Sequence, residues 1–264
     1  MAICAFGYTN RILAGTISAG SEVSGLGSGN LQTQQGGDSA AWRTAGVVTS
    51  AAGAWFRVDA GAATTWRAFA LARTNLTTAA TVRWRVGTIA SPGLNYDSGT
   101  ISAGIVAGFG QSILVAPSDI TGQVVRCDID DPANPDGFVS VALAYAGPIW
   151  QPSISFSPET SLSATRGNEA TQTRSGAAFV SARYYQRAWA ISHGAVKAAD
   201  LWAQLMPMDR VAADGTNVLF IPDPASAQIQ RESVFGILET TSDIGFLTPA
   251  GDWRTWRGRI AERL

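Results

Sequence analysis

The residues of this chain that could do acid–base chemistry are carboxylates, and three of them, Asp128, Asp130 and Asp131, fall close together. Two carboxylates at a suitable separation are sufficient for glycoside hydrolysis. These acids, however, directly precede Pro132 in a turn-rich link, and Asp beside Pro and Gly usually accepts turn hydrogen bonds through its own side chain. We therefore interpret the group as turn chemistry and assign no catalytic residue.

Other catalytic and metal chemistries lack their partners in the sequence. His193 is the single histidine, and a catalytic triad would need a nucleophile and an orienting acid beside it. A Ser-His-Gly turn just before a helix is the expected setting of His193. Cys4 and Cys127 are too few for a disulfide framework and too far apart in sequence for a transition-metal site. The chain is therefore not expected to be an enzyme or to carry a transition metal. Two reduced thiols are expected, with one disulfide between them as the alternative.

Carboxylates in turn-rich segments are the candidate ligand-binding groups. The segments 25–38, 91–97 and 130–137 contain the turn signals expected of loops at one end of a β-sandwich. Ca²⁺ requires only oxygen ligands, so a structural Ca²⁺ stays open, while no other cofactor is expected. The candidate residues are Asp38, Asp97, Asp130, Asp131 and Asp136.

Arginine and tryptophan alternate at residues 83–85 and 253–259. Such interleaving can mark a platform for single-stranded nucleic acid, but a strand with a buried Trp face and a solvated Arg face has the same pattern. The formal net charge of -1 provides no general attraction to nucleic acid, so the strand interpretation is favoured. The later segment is also a candidate protein interface, because Trp and Arg are common interface anchors. Its candidate residues are Trp253, Arg254, Trp256, Arg257 and Arg259.

The composition favours a folded chain: 46% of the residues are hydrophobic and 15% are charged. The first residues do not combine a basic start with an apolar run, so no secretory signal is predicted. No apolar run reaches the length of about 18 residues needed to cross a bilayer. We expect a soluble protein made in the cytoplasm, without membrane insertion.

The elements that must position these residues are short strands. Residues 55–59 and 81–86 alternate between apolar and polar side chains, with Val82, Trp84 and Val86 on one face of the second segment. Further strands are expected at 66–72, 100–101, 112–115 and 123–126. Many short strands with frequent turns predict a mainly-β fold, an antiparallel β-sandwich of the jelly-roll kind. An open β-meander is the alternative, but it would leave its edges uncovered.

Residues 126–147 are expected to close this sandwich as a hairpin-like element. A Ser-, Thr- and Pro-rich linker or extended loop over residues 151–172 then leads to a second half. A helix is predicted from Ala195 to about Met206, where Pro207 should limit its extension. The predicted organisation is a jelly roll at 1–150 and a smaller α+β assembly domain at 151–264, with one helix packed on a sheet.

Residues 55–61, WFRVDAG, resemble the W-x-x-V-D-L-G strand of galactose-binding-like, discoidin-type jelly rolls, with Ala60 where that motif usually has Leu. Residues 41–44 and 80–85 fit around it, and residues 124–132 resemble the late R-x-x-R-I-x-I strand pair. The resemblance covers approximately residues 30–147 and implies a jelly roll. It does not settle glycan binding, because this fold carries many functions.

The whole chain, with Gly137-Phe138-Val139 leading to Ala146-Gly147 and a second β-rich half, is similar to minor structural proteins of tailed bacteriophages. These sit at the tail tip or baseplate or decorate the virion. The resemblance implies a non-enzymatic virion component, made in the host cytoplasm, that contacts other phage tail proteins and forms a symmetric homo-oligomer. The alternative is a carbohydrate-binding adhesin of the tail that attaches to a host-surface glycan. A glycan-degrading enzyme ranks below both.

Overall fold

The structure is a computed structural model, and it describes residues 3–240, 244–247 and 251–264. Two compact units are present: the first contains Met1–Gln151, Leu219–Ser233 and Leu264, and the second contains Pro152–Val218 and Val234–Arg263. The domain division at residue 150 stays a prediction. Fifteen strands are present in the described residues: β1 (Ala5–Gly7), β2 (Thr16–Ala19), β3 (Trp42–Arg43), β4 (Trp55–Thr74), β5 (Thr81–Gly87), β6 (Tyr96–Asp97), β7 (Ile101–Ser102), β8 (Ser112–Asp130), β9 (Ser140–Gly147), β10 (Ser161–Gln172), β11 (Ala178–Lys197), β12 (Val218–Ile221), β13 (Val234–Thr240), β14 (Gly245–Phe246) and β15 (Trp253–Glu262).

Two long strands, β4 and β8, organise the first unit. They pair antiparallel from Trp55 opposite Asp128 to Leu71 opposite Ser112, with register shifts after Asp59 and Trp66. β2 lies beside the first half of β4 and β9 beside its second half, while β5 pairs with the later half of β8. β3 extends the sheet beyond β9, and β6 and β7 pair with β5. All these pairs are antiparallel, so the mainly-β, antiparallel prediction is confirmed.

The apolar faces of these strands form a core built around stacked aromatic rings. The predicted alternation in β5 is confirmed, because Val82, Trp84 and Val86 are buried while the residues between them are not. The Trp84 ring contacts Phe56 edge-on at 5.8 Å between ring centroids and stacks on Phe69 at 5.0 Å. Such pairs contribute about 0.5–1.5 kcal/mol beyond the burial of their area. Cys4 and Cys127 are both buried.

The expectation that residues 126–147 form a hairpin is wrong. β9 pairs with β3 and β4 and is not adjacent to β8. All eight residues of β9 are buried, and its two edges pair with β3 and with β4. The link itself is turn-rich, as expected: the Asn134 backbone amide donates to the Asp131 carbonyl, and Gly137 has a φ of 70° that favours glycine.

A later segment also packs in the first unit. β12 pairs with β1, with Phe220 opposite Phe6. The side chain of Gln230 donates to the carbonyl of Ile113 over 2.8 Å and accepts from its amide over 2.7 Å. Gln230 therefore hydrogen-bonds the edge of β8 as another strand would. Because such pairings are distant in sequence, local patterns did not predict them.

In the second unit, four strands lie in the order β13–β15–β11–β10, and β14 also pairs with β15. The segment expected to be a linker instead contains strand β10, and His193 lies within β11 rather than in a turn before the helix. The polar residues of β10 lack the apolar alternation by which strands are recognised, whereas β11 continues through His193 to Lys197.

The helix of the second unit runs over residues 198–213. It consists of α1 (Ala198–Asp200), a π turn (Leu201–Leu205) and α2 (Met206–Ala213). Pro207 does not end it, which corrects the sequence expectation. Proline lacks an N–H, and the π turn directly before it changes the hydrogen-bond spacing where that donor would be needed. Leu201, Leu205 and Met208 are buried, and α2 packs against β13. A further short helix, α3 (Ile229–Glu232), lies in the first unit.

Candidate functional site

A cavity of about 560 Å³ opens in the first unit at the end where β4 finishes and β8 and β9 begin; we call it the loop pocket. Its walls come from segments far apart in sequence: Asp38 and Arg43, residues 73–78, residues 105–110, and residues 136–140. The antiparallel pairing of β4 with β8 and β9 brings these segments together, because it places the end of β4 beside the starts of both partners.

The turn that carries the central pocket residues has an unusual backbone. Arg73 has a φ of 56° and is the single described non-glycine residue with a positive φ. A side-chain-bearing residue in this region costs of order 1–3 kcal/mol and is held there by its surroundings. Here Thr74 donates from its amide to the carbonyl of Gly110 over 3.0 Å. A Cβ on Gly110 would lie 2.9 Å from the carbonyl oxygen of Thr74, so the two segments can approach closely only with glycine there.

Asn75 fixes the opposite wall of the loop pocket. Its side-chain amide donates to Asp136 Oδ2 over 2.9 Å and to the carbonyl of Phe138 over 2.9 Å. Its Oδ1 accepts from the backbone amide of Ser140 over 2.8 Å. Both N–H groups of this side chain and one of the two lone pairs of its Oδ1 are thereby hydrogen-bonded. The Asp136 carboxylate and the Phe138 ring are therefore positioned before any ligand arrives.

Cationic groups complete the loop pocket. The guanidinium carbon of Arg43 lies 4.4 Å from the centroid of the Phe138 ring, which is close enough for a cation–π contact. Arg73 is exposed and donates from Nε to the carbonyl of Gly36 over 3.3 Å. The pocket thus combines arginine donors, exposed carboxylate acceptors and an aromatic ring, which suits a small polar ligand with both donors and acceptors.

Of the carboxylates expected from sequence, Asp38 and Asp136 line the loop pocket. Asp131 lies below it, fully buried, where it accepts from the Thr77 amide over 2.8 Å, from Thr77 Oγ1 over 2.6 Å and from Asn134 Nδ2 over 3.1 Å. These contacts tie the 73–78 turn to the link between β8 and β9, so Asp131 supports the pocket from beneath. Its role in ligand binding stays a prediction.

A second depression of about 240 Å³ lies on the outward face of β5 and β8. We call its charged lining residues, together with the Asp97 that pairs with Arg83, the outer-face cluster. Asp130 accepts from the amide of Ser50 over 2.7 Å. Asp97 pairs with Arg83, and that contact, chiefly its hydrogen bond, holds the pKa of Asp97 below its usual value. Asp97 and Asp130 therefore do not line the loop pocket, whereas Asp38 and Asp136 do.

Asp128 is the centre of the outer-face cluster. Its carboxylate is almost fully buried and bridges Arg85 at 2.5 Å and Arg126 at 2.8 Å. Arg126 also lies over the Trp55 ring at 4.0 Å. The register places Arg57 of β4, Arg126 of β8 and Arg85 of β5 side by side. The negative charge of Asp128 offsets the repulsion among these arginines.

The predicted interface residues of β15 are distributed over both of its faces in the second unit. Trp256 is buried near His193, with 5.9 Å between ring centroids. Arg254 lies 4.1 Å from the centroid of the Phe246 ring, and the Lys197 ammonium lies 6.0 Å from that of Trp253. Arg257 and Arg259 make exposed ion pairs with glutamates. Alternation of buried and exposed residues accounts for Trp256, and the interface role of the group stays a prediction.

Within the described residues, no group of three or more His, Cys, Asp or Glu side chains is arranged to hold a metal ion. The Ca²⁺ expectation therefore stays a prediction without a located site. No helix in the described part of the chain combines the length and apolar character required to cross a membrane.

Sequence reasoning missed the arginines, the amide and the ring of the loop pocket, namely Arg43, Arg73, Asn75 and Phe138. One signal was available: Thr74-Asn75 interrupts two strand-like runs, which marks a turn at the end of a sandwich. The positive φ of Arg73 has no signature in the sequence.

No protein-family model and no curated protein matches the chain. Among solved structures, the lectin binding domain of lectinolysin complexed with Lewis b is similar at 11% identity and a TM-score of 0.40, over 52% of this chain and 94% of that chain. A fucolectin from Morone saxatilis (striped bass) serum is similar at 13% identity and a TM-score of 0.42, over 63% and 56%. The family 32 CBM from C. perfringens NanJ in complex with galactose is similar at 14% identity and a TM-score of 0.41, over 54% and 98%.

Proposed function

We propose that the first unit is a carbohydrate-binding module that holds a sugar in the loop pocket and performs no chemical step. The observation that carries the proposal is the Asn75–Asp136 hydrogen bond beside the Arg43-backed ring of Phe138. It provides an oriented carboxylate next to an oriented aromatic face. Ligand sites of this kind combine apolar surface with a few fixed polar groups.

A sugar matches the groups that line the pocket. Each hydroxyl can donate to a carboxylate such as Asp136 or Asp38 and accept from a guanidinium such as Arg73. The C–H face of a sugar ring is apolar and can lie against Phe138. The cavity of about 560 Å³ is within the usual range of small-molecule sites, so it suits one or two sugar units.

A glycan array followed by calorimetry with the hits tests this proposal on the full chain. We expect Asp136→Asn and Phe138→Ala each to weaken binding about tenfold or more, because each removes a contact worth about 1.4 kcal/mol or more. Asp97→Asn is the matched control, since it alters a carboxylate that pairs with Arg83 in the outer-face cluster, away from the loop pocket. Binding that survives both pocket variants but is lost in Asp97→Asn would place the sugar site at the outer-face cluster and contradict the loop pocket. An array without hits would contradict sugar binding altogether.

A second candidate is assembly into a phage virion at the tail tip or baseplate, which would make the protein a structural component and the sugar site an attachment device. An assembly role is favoured by the apolar side chains that the second unit exposes, including Phe179, Trp202 and Phe246, each at least 65% exposed. The phage origin itself comes from the sequence resemblance. Immunogold labelling of particles tests it, and virions free of label would contradict it.

A further inference from the structure

Residues 161–185 form a two-stranded arm within the second unit. β10 pairs only with β11 among the described residues, and β15 joins β11 only from Ala188 onward. Both outer edges of the arm therefore lack a strand partner in the described chain. Every arm residue is exposed except Gly167, which the ring of Tyr184 covers.

The arm exposes apolar side chains on both of its faces. Val180 and Tyr185 lie on one face, at 64% and 49% exposure, and Phe179 and Tyr184 lie on the other, at 65% and 47%. Residues directly opposite each other share a face, which places Tyr185 with Arg166 and Phe179 with Thr171. A flat partner surface covers one face, so burial of both faces by flat surfaces takes a neighbour on each side.

Such an arm is not expected to persist alone in water. An isolated two-stranded ribbon is marginally stable at best, and open edges attract further strands. The arm contains neither Pro nor Lys, the residues that most often protect an edge. Its base is fixed nevertheless: Arg187, buried, makes a two-bond ion pair with Glu262 at 3.0 Å and 2.7 Å. The chain thus holds in place a surface that needs a partner.

The charge of the arm indicates what covers it. Residues 161–185 contain three arginines and one glutamate, a net charge of +2, whereas the whole chain has -1. The remaining residues therefore carry -3. Two arms would repel each other, but the arm of one copy and the rest of another copy attract.

The size of the arm also fits this partner. Nine residue pairs lie beyond the end of β15, and at about 3.3 Å each they give a ribbon about 30 Å long and about 10 Å wide, or about 300 Å² for each face. Covering both faces removes about 600 Å² from the arm and a similar area from its neighbours, a total of about 1,200 Å², which reaches the lower end of the range for stable interfaces.

We propose that the arm of each copy packs between neighbouring copies of the same chain in a closed ring of three or more subunits. Each arm then contacts different surfaces on its two sides, as head-to-tail rings require, and ring closure leaves no arm uncovered. This inference does not rest on sugar binding by the first unit.

Sedimentation equilibrium of the full chain tests the proposal. We expect the wild type to sediment as a trimer or larger closed oligomer and the Phe179→Ser/Tyr185→Ser variant to shift to monomer. The matched control is Ile89→Ser/Leu94→Ser, which removes two exposed apolar side chains from the first unit and should leave the mass unchanged. A monomeric wild type, or an arm variant of unchanged mass, would overturn the proposal.

Hydrogen exchange provides a second readout that does not depend on a variant. The amides on the open edges of residues 161–185 should be protected at concentrations where the oligomer is present and should lose that protection on dilution. Equal exchange at high and low concentration would contradict packing between copies. Protection of the arm by a different protein, while this chain stays monomeric, would also contradict packing between copies.

Discussion

The side-chain amide of Asn75 donates to the carboxylate of Asp136 over 2.9 Å, although the two residues are 61 positions apart. This hydrogen bond joins the turn after β4 to the link between β8 and β9. It orients an acceptor toward the loop pocket and leaves Asn75 with no free N–H to offer a ligand, since its second N–H binds the carbonyl of Phe138.

Replacing Asn75 with Ala should therefore affect both stability and binding. We expect the free energy of unfolding to fall by about 1–3 kcal/mol, because the Ser140 amide and the Phe138 carbonyl lose their partner. Affinity for the sugar should fall as well, because Asp136 loses its orientation. Denaturant unfolding and calorimetry measure the two effects. Asn95→Ala removes an exposed asparagine bonded to Thr121 and should change neither.

Two substitutions of Arg73 should differ in their effect on stability but not in their effect on sugar binding. Arg73→Gly removes the strain of a positive φ, whereas Arg73→Ala retains it. We expect the glycine variant to be more stable than the alanine variant by about 1 kcal/mol, while both lose the guanidinium and bind sugar more weakly. Unfolding curves for the two variants decide the point. Equal stabilities would show that the surrounding turn relaxes around Ala.

Asp128 should be the most sensitive charge of the outer-face cluster. Asp128→Asn leaves Arg85 and Arg126 side by side without their shared carboxylate. We expect a loss of about 2–4 kcal/mol in the free energy of unfolding, partly recovered in high salt. The matched variant is Asp119→Asn, whose exposed pair with Arg67 spans 3.4 Å and should contribute less than about 1 kcal/mol. Similar losses in both variants would mean that Asp128 is no more important than a surface pair.

His193 should make stability depend on pH. Its burial lowers its pKa from 6.5 to about 4. Between these values the unfolded chain binds a proton that the folded chain does not, so the free energy of unfolding falls as the pH drops from 6.5 toward 4, by about 3 kcal/mol in total. Below the folded pKa the further loss ends.

Denaturant unfolding across that pH interval measures the effect. Since His193 is the single histidine, His193→Leu should remove most of the slope, while Ser192→Ala, at the neighbouring buried position, should retain it. An unchanged slope in His193→Leu would assign the pH dependence to carboxylates instead.

The strands of the first unit were predictable because their signal is local. Val82, Trp84 and Val86 alternate with polar residues, and this period already fixes which face is buried. The pairing of β9 with β4 was not predictable in the same way, because it depends on contacts between segments far apart in sequence, such as Phe69 opposite Ala146, 77 positions later. Strand β10 was missed for a different reason: all of its residues except Gly167 are exposed, so it has no alternation of buried and exposed positions to recognise.

The loop pocket was predicted in part. Asp38 and Asp136 were identified because loop carboxylates are visible in sequence, and both line the cavity. Arg73 and Asn75 were missed because their importance arises from a backbone conformation and from long-range hydrogen bonds. Asp131 illustrates the same limit, since its burial beneath the pocket depends on Thr77, 54 residues earlier.

The burial of Cys4 and Cys127 makes the thiols a natural reporter of how often the first unit opens. Both belong to that unit, and burial raises the pKa of Cys127 well above its usual value. An exposed thiolate attacks a thiol-modifying reagent, so the rate at which these two groups are modified should follow transient opening of the sandwich. The second unit contains no cysteine, so its own fluctuations would leave no trace in this chemistry.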